Sequence, residues 1–146
     1  MRIAIICDYY LDYVGGAQTS MRQQQKALTE AGHEVLMVTS DRRGENRVTQ
    51  DGRYLGIRPV VTLPGVVLPV IANSARTRGL LESAFREHSI DAVHVQTEFG
   101  LAHAAADVAA TLGLPRRASI ALLTAGIVVW TVSFTMLGVF GLSTFR

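Results

Sequence analysis

Residues 1–20, MRIAIICDYYLDYVGGAQTS, decide how the rest of this chain is organised. Residues 2–7 are apolar without polar alternation, which is typical of a strand buried on both faces of a parallel sheet. A loop follows, and Gly15 and Gly16 then precede residues 17–31, whose apolar side chains recur at helical spacing. The stretch therefore predicts a strand, a glycine loop and a helix.

The two glycines favour the binding of an anion such as phosphate. The first turn of a helix has unpaired backbone N–H groups and a partial positive charge from the aligned peptide dipoles. Gly15 and Gly16 allow backbone to approach a ligand without a Cβ atom between them. The spacing differs from the GxGxxG of dinucleotide folds, and a turn that only redirects the chain is the alternative explanation.

Strand and helix patterns alternate through the rest of the first 115 residues. Strands are predicted at residues 34–40 and 91–96, and helices at residues 75–88 and 101–112. Asn73 and Ser74 are candidate caps of the helix at residues 75–88. Its buried side is expected to carry Leu80, Leu81, Ala84 and Phe85. Gly32 and Gly113 are expected to end the helices that precede them.

Residues 41–71 lack a long strand pattern. Residues 41–52 are polar and are predicted to form a solvent-exposed loop. Frequent prolines in the next segment favour one short strand followed by an irregular, apolar loop through Ile71. That loop either packs on the sheet edge or offers a surface to an apolar partner such as lipid.

Strands that alternate with helices predict an α/β fold with a doubly wound parallel sheet and right-handed crossovers. In such sheets ligands bind beyond the carboxyl ends of the strands. His94, in mid-strand, is expected to be a hydrogen-bonded interior or cleft-wall residue and not a metal ligand. The residues that this topology places at the carboxyl edge are Asp8, Tyr9, Tyr10, Gly15, Gly16, Thr97, Glu98 and Phe99.

The charge distribution argues against nucleic acid as a partner. The whole chain has a formal net charge of +2, but residues 1–115 hold 11 basic and 12 acidic side chains, a net charge of −1. Cys7 is the single cysteine, so no internal disulfide is possible, and we expect it to be a small apolar core residue in a reducing compartment. No signal-peptide pattern precedes the first strand, which favours a cytoplasmic amino-terminal domain.

The carboxyl-terminal part of the chain is apolar. Arg116 and Arg117 precede 28 uncharged residues, 118–145, whereas a helix needs about 20 to cross the hydrocarbon core. We therefore predict a domain at residues 1–115 and an apolar tail at residues 116–146, with a transmembrane helix at about 118–140. The paired arginines would hold the amino-terminal domain on the cytoplasmic side of this membrane anchor. A buried helix of a soluble domain is the alternative.

Two blocks of the sequence resemble a known family. Residues 1–40, with GGAQ followed by LTEAGHEVLMVTS, and residues 90–115, IDAVHVQTEFGLAHAAADVAATLGLP, resemble the amino-terminal half of the GT-B glycosyltransferases of family 4. This group includes phosphatidylinositol mannosyltransferases. The resemblance covers residues 1–115 and none of the tail.

The resemblance implies a Rossmann-like acceptor domain, half of a GT-B fold, that faces a second domain holding a nucleotide sugar. Such enzymes transfer the sugar, with retention, to a lipid or glycan acceptor, and they need no catalytic metal. By the same resemblance Gly15 and Gly16 approach the donor phosphates, and the acceptor side is lined by Asp8, Tyr9, Tyr10, Thr97 and Glu98.

The chain departs from the family pattern after Pro115. The resemblance implies a strand and a catalytic histidine next, but the sequence has the arginines and the apolar tail there, and we expect the donor domain to be absent. A nucleotide diphosphate is weakly held by two glycines alone, so we expect the chain by itself to be inactive and a separate donor-domain chain to be a possible partner. The alternatives are a non-enzymatic, membrane-anchored module that binds phosphate or lipid, and a frameshifted or fused remnant.

Overall fold

Parallel strands form the centre of the structure, a computed structural model that describes residues 1–13, 15–44, 46–49, 52–63 and 68–114. All of these residues belong to one compact unit, Met1–Leu114. The elements along the chain are β1 (Arg2–Tyr10), α1 (Gly16–Glu30), β2 (Glu34–Ser40), β3 (Asn46–Thr49), β4 (Gly52–Ile57), β5 (Val61–Leu63), β6 (Leu68–Val70), α2 (Ala75–Glu87), β7 (Ala92–Val95) and α3 (Gly100–Thr111).

The main sheet has the strand order β3-β4-β2-β1-β7. Strands β4, β2, β1 and β7 run parallel to one another, whereas β3 is antiparallel to β4. Strand β1 is therefore flanked by β2 on one side and by β7 on the other. This arrangement confirms the predicted α/β fold with a parallel, Rossmann-like sheet.

Helices cover both faces of the sheet, as the continuous apolar pattern of β1 requires. Ile5 and Cys7 face α1 and pack with Met21, whereas Ala4 and Ile6 belong to the larger core under α2 and α3. Each of these five side chains has no exposed surface. Complete burial of one isoleucine stabilises the fold by about 1.5–3 kcal/mol, so the first strand is a main source of stability.

Cys7 is a buried core residue, as the sequence predicts. Burial is the main cause that raises the pKa of the Cys7 thiol from 9.0 to about 11, with the negative charge of Asp8 adding to it and a hydrogen bond with the Tyr9 backbone opposing it. The thiol is thus protonated at neutral pH. This state suits a packing role and not that of a nucleophile.

Three parts of the chain differ from the prediction. Strand β1 continues to Tyr10 beyond the predicted end at residue 7, with an irregular register opposite Ser40. The predicted solvent-exposed loop at residues 41–52 contains β3, which gains its hydrogen bonds from β4. The predicted irregular loop contains an antiparallel hairpin made by β5 and β6.

Local signals set the ends of the helices. Gly32 and Gly113 have φ angles of +82° and +69°, which glycine adopts without steric cost, and they end α1 and α3 as predicted. Ser74 caps α2 by accepting a hydrogen bond from the Thr77 N–H at 3.2 Å. Leu80, which was expected on the buried side of α2, is 47% exposed.

The predicted transmembrane helix at residues 118–140 lies outside the described residues. None of the helices in the described part of the chain combines the length and the apolar content needed to span a bilayer.

Gly100, the first residue of α3, lies against the backbone of the segment before α2. A Cβ atom at this position would lie 1.8 Å from the Ile71 carbonyl oxygen and 3.5 Å from the Asn73 nitrogen. Backbone atoms cannot move aside as a flexible side chain can. Glycine at this position therefore allows the start of α3 to pack against residues 71–73.

We expect Gly100→Ala to lower the free energy of unfolding by about 3 kcal/mol, because the added methyl group forces α3 away from its neighbours. Urea unfolding followed by circular dichroism measures this change. Gly79→Ala is the matched control, since a Cβ atom at Gly79 meets nothing within 4 Å and alanine favours helix by about 0.5–1 kcal/mol. Equal stability of the two variants would contradict the assignment.

Candidate functional site

The end of β1 meets the loop that follows β7 at the carboxyl edge of the sheet, and these two segments are the corners of the candidate site. Ile6 lies opposite Val95 in the register of these neighbouring strands, and the Gln96 N–H donates to the Ile6 carbonyl at 2.9 Å. The residues that leave the two strands therefore start side by side. The predicted convergence of the two corners is found in the structure.

Asp8 joins the two corners through its buried carboxylate, which has no exposed surface. Its Oδ2 accepts a hydrogen bond from the Thr97 hydroxyl at 2.6 Å, and its backbone N–H donates to Thr97 Oγ1 at 3.1 Å. Its Oδ1 accepts from the Leu101 N–H at 2.8 Å. Asp8 of β1 thus caps the first turn of α3. Phe99, the residue before the helix, makes no such hydrogen bond with its own side chain.

An aromatic pair lies at the rim of this corner. The rings of Tyr9 and Phe99 meet edge to face, with centroids 6.3 Å apart and an interplanar angle of 77°. Tyr9 is half-buried against the α1 side of the core, whereas Phe99 is 44% exposed. Glu98, beside Phe99, is exposed to solvent. The accessible surface of the corner therefore includes aromatic rings and the carboxylate of Glu98.

Tyr10 has a different position from its neighbour. It is 3% exposed, and its hydroxyl lies 2.7 Å from Thr62 Oγ1 in β5. The Arg42 guanidinium lies over its ring, 5.2 Å from the centroid. Tyr10 therefore holds the β5–β6 hairpin against the end of β1.

Gly15 and Gly16 begin α1 at the same edge of the sheet. Gly15 is the residue before the helix, in extended conformation with φ −158° and ψ 169°, and no side chain caps the first turn. The Gln18 side-chain amide donates to the Tyr10 carbonyl at 3.2 Å and connects α1 to the end of β1. A Cβ atom at Gly16 would meet nothing within 4 Å.

The model of Glycosyltransferase Family 4 matches residues 14–119, which include the glycine loop, the corner after β7 and α3. The chain belongs to Glycosyltransferase Family 4. This membership confirms the resemblance that the sequence blocks at residues 1–40 and 90–115 indicate.

Curated relatives of this family 4 chain are named as one mannosyltransferase and two monoglucosyldiacylglycerol synthases. It is 31% identical over 117 residues to a GDP-mannose-dependent alpha-mannosyltransferase of Corynebacterium glutamicum, across 79% of this chain and 28% of the relative. It is 31% identical over 121 residues to an alpha-monoglucosyldiacylglycerol synthase of Streptococcus pneumoniae, across 79% of this chain and 25% of the relative. A synthase of the same name from Acholeplasma laidlawii is 27% identical over 105 residues, across 69% and 25%. The chain spans about a quarter of the length of these relatives.

A row of polar side chains connects α1 to β7 in this family 4 domain. The Gln96 amide donates to Gln24 Oε1 of α1 and lies 2.8 Å from His94 Nε2. Burial lowers the pKa of His94, so its ring is neutral and accepts this bond. The alternation of His94 and Gln96 on one face of β7 was the available sequence signal, but the partner on α1 was not predicted. The described residues contain no group of three side chains suited to hold a metal ion.

Of the predicted site residues, the structure brings Asp8, Tyr9 and Thr97 together at one corner. Gly15 and Gly16 lie at the same edge, at the start of α1, whereas Tyr10 faces the hairpin. Sequence reasoning did not identify the role of Gly100 or the cap that Asp8 supplies to Leu101, since both depend on contacts between distant segments.

We expect Asp8→Ala to lower the free energy of unfolding by about 3 kcal/mol, because it removes charged hydrogen bonds and leaves the buried Leu101 N–H without an acceptor. Asp8→Asn keeps one carbonyl oxygen for this N–H and should cost about 1–2 kcal/mol. Urea unfolding and the exchange rate of the Leu101 amide proton measure both effects.

Asp12→Ala is the control, since Asp12 is exposed in the loop and its removal should change stability by less than about 0.5 kcal/mol. A loss as large in the control as in Asp8→Ala, or an unchanged Leu101 exchange rate in Asp8→Ala, would contradict the role of Asp8.

Proposed function

We propose that this chain is the acceptor-side domain of a retaining GT-B glycosyltransferase that transfers a sugar from a nucleotide sugar to a lipid or glycan acceptor. The observation that carries the proposal is the junction made by Asp8, which fixes the end of β1 and the start of α3 at one edge. Family membership and the names of the relatives support this class of reaction.

We assign the donor phosphates to the start of α1. Neither Gly15 nor Gly16 has a positive φ angle, and the space beside Gly16 is open, so the backbone itself does not require glycine at position 16. A ligand that approaches the main chain does require it. The uncapped first turn supplies N–H groups and a partial positive charge, which suit a diphosphate.

We assign the acceptor to the surface made by Tyr9, Phe99 and Glu98. The aromatic edge can pack against a sugar or inositol ring, and the exposed carboxylate of Glu98 can accept hydrogen bonds from hydroxyl groups. Asp8 and Thr97 act in this proposal by positioning that surface, because their polar atoms bond to each other and to α3.

A lipid acceptor is favoured by the β5–β6 hairpin. Val60, Val61, Leu63 and Val70 are 75%, 50%, 42% and 37% exposed, and the hairpin is joined to the carboxyl edge through Tyr10 and Thr62. Isolated apolar side chains are normal on a surface, but Val61, Leu63 and Val70 share one face of the hairpin and form an apolar patch. The patch lies at the edge of the sheet that carries the acceptor corner, so a lipid could contact both.

The remaining parts of the reaction lie beyond the described residues. We propose that a donor domain, which the described residues do not contain, supplies the second wall of the cleft and that transfer proceeds without a metal ion. Anchoring of the cytoplasmic domain by residues 118–140 is part of the same proposal. Sugar transfer by the purified 146-residue chain alone would contradict the need for a donor domain.

The phosphate assignment predicts a local response to a nucleotide diphosphate. In ¹⁵N-labelled protein, GDP at millimolar concentration should shift the amide signals of residues 15–19, and Gly16→Ala should weaken this binding roughly tenfold because its methyl group blocks the main chain. Gly79→Ala is the matched control, since the added methyl group is equally unhindered. Shifts confined to other residues, or equal binding by Gly16→Ala, would contradict the assignment.

The lipid assignment is tested with soluble short-chain lipids, so that residues 118–140 do not dominate binding. Dihexanoylglycerol and dihexanoylphosphatidylinositol should bind below their micelle concentrations, and Val61→Thr/Leu63→Thr should weaken binding roughly tenfold because apolar contact area is lost. Isothermal titration calorimetry measures the affinity. Leu80→Gln, an exposed leucine on α2, should bind as the original chain does. A glycan acceptor is favoured instead if neither lipid binds.

A further inference from the structure

A second concave surface lies at the opposite edge of the sheet. It is a cavity of about 630 Å³ bordered by the carboxyl-terminal half of α1, the starts of β1, β2 and β4, and the end of α2. Since α1 runs antiparallel to the strands, its last turns lie at the amino-terminal edge. This cavity is therefore separate from the corner at Asp8. Its volume falls in the range of small-molecule sites.

The floor of the cavity contains apolar side chains where α1 meets the starts of β2 and β4. Tyr54 of β4 lies on the α1 side of the sheet, and its hydroxyl donates to Gln25 Oε1 of α1 at 2.9 Å. Val35 of β2 packs in the same cluster, and Ile90, which also lines the cavity, is 7% exposed. The ring of Tyr54 and the aliphatic side chains provide a surface for an apolar group.

The mouth of the cavity is cationic. Four Arg and Lys side chains but two Glu side chains line the cavity. Lys26 lies 3.8 Å from Glu30, and the Arg22 guanidinium donates to the Leu11 carbonyl at 2.8 Å, so of these four Arg2 and Arg53 supply the charge at the mouth. Within the described part of the chain, no carboxylate forms an ion pair with Arg2 or Arg53. Arg53 Nη1 lies 3.0 Å from His88 Nδ1, which holds this guanidinium at the edge of the cavity.

We propose that this cavity binds an amphipathic anion. A phosphate or carboxylate group lies at Arg2 and Arg53 on the α2 side of the sheet, and a short hydrocarbon body passes the amino ends of β2 and β4 to reach Tyr54 and Val35 on the α1 side. A guanidinium forms paired hydrogen bonds with either oxyanion, so the two head groups share one recognition chemistry. An uncharged amphiphile of the same length lacks the contact with the arginines. The site is independent of the sugar-transfer corner.

Calorimetry with octyl phosphate, octanoate and uncharged octyl glucoside, each below its micelle concentration, tests the proposal on the full chain. Both anions should bind more tightly than octyl glucoside, and the tighter of the two identifies the preferred head group. Arg2→Gln/Arg53→Gln should weaken binding of the anions about tenfold or more. Arg53→Lys alone should keep the charge but lose paired hydrogen bonding, with an intermediate affinity.

Arg43→Gln/Arg76→Gln is the matched control, because it removes the same charge from exposed positions that do not line the cavity. This variant should bind octyl phosphate as the original chain does. Ligand-induced shifts of the amide signals of residues 35 and 54 should locate the bound molecule. Equal binding of octyl glucoside, equal weakening by both double variants, or shifts confined to the carboxyl edge would overturn the proposal.

Discussion

The carboxyl edge of this domain depends on the hydrogen bonds that the buried carboxylate of Asp8 accepts. A charge removed from water is costly unless hydrogen-bond donors replace the water. Here Thr97 and the first turn of α3 supply those donors, and the partial positive charge at the start of the helix adds to them. The bonds fix β1, β7 and α3 relative to one another. Removing any partner would leave a buried polar group unsatisfied.

This junction explains how neighbouring residues of β1 have different tasks. Asp8 points toward α3, Tyr9 reaches the aromatic rim, and Tyr10 is buried against the hairpin, where Arg42 covers its ring. The irregular register at the end of β1 accompanies this change of direction. Helix α1 links the two ends of the domain, because its first turn carries Gly16 and its last turns border the second cavity.

The sequence was sufficient to predict elements with a periodic apolar pattern. Strands β1, β2 and β7 and the three helices were placed within a few residues, since each apolar pattern reflects burial against the neighbouring layers. Strand β3 was missed because its polar residues carry no such pattern and its hydrogen bonds come from β4. The hairpin was missed because prolines weaken the strand signal, although Pro69 is tolerated in the short two-stranded sheet.

The site was predictable in position but not in detail. Sheet topology places Asp8 and Thr97 at the same edge, but spacing alone does not reveal that a carboxylate caps a distant helix. The need for glycine at Gly100 arises from the Ile71 carbonyl, a contact between segments far apart in sequence. The cavity at Arg2 and Arg53 is bordered by α1, the end of α2 and the starts of three strands, and a local pattern does not report how such distant segments surround a space.

The bond between Asp8 and Leu101 joins residues 93 positions apart. When the chain is synthesised from its amino terminus, the strand that carries the carboxylate leaves the ribosome long before α3 does. The Asp8 side chain therefore stays hydrated and without its bond to α3 while β2, β4 and α2 are being made. Bringing Asp8 and Leu101 together has an entropic cost that only the later contacts offset. The wall of the corner that faces the glycine loop is consequently among the last parts of the domain to become ordered.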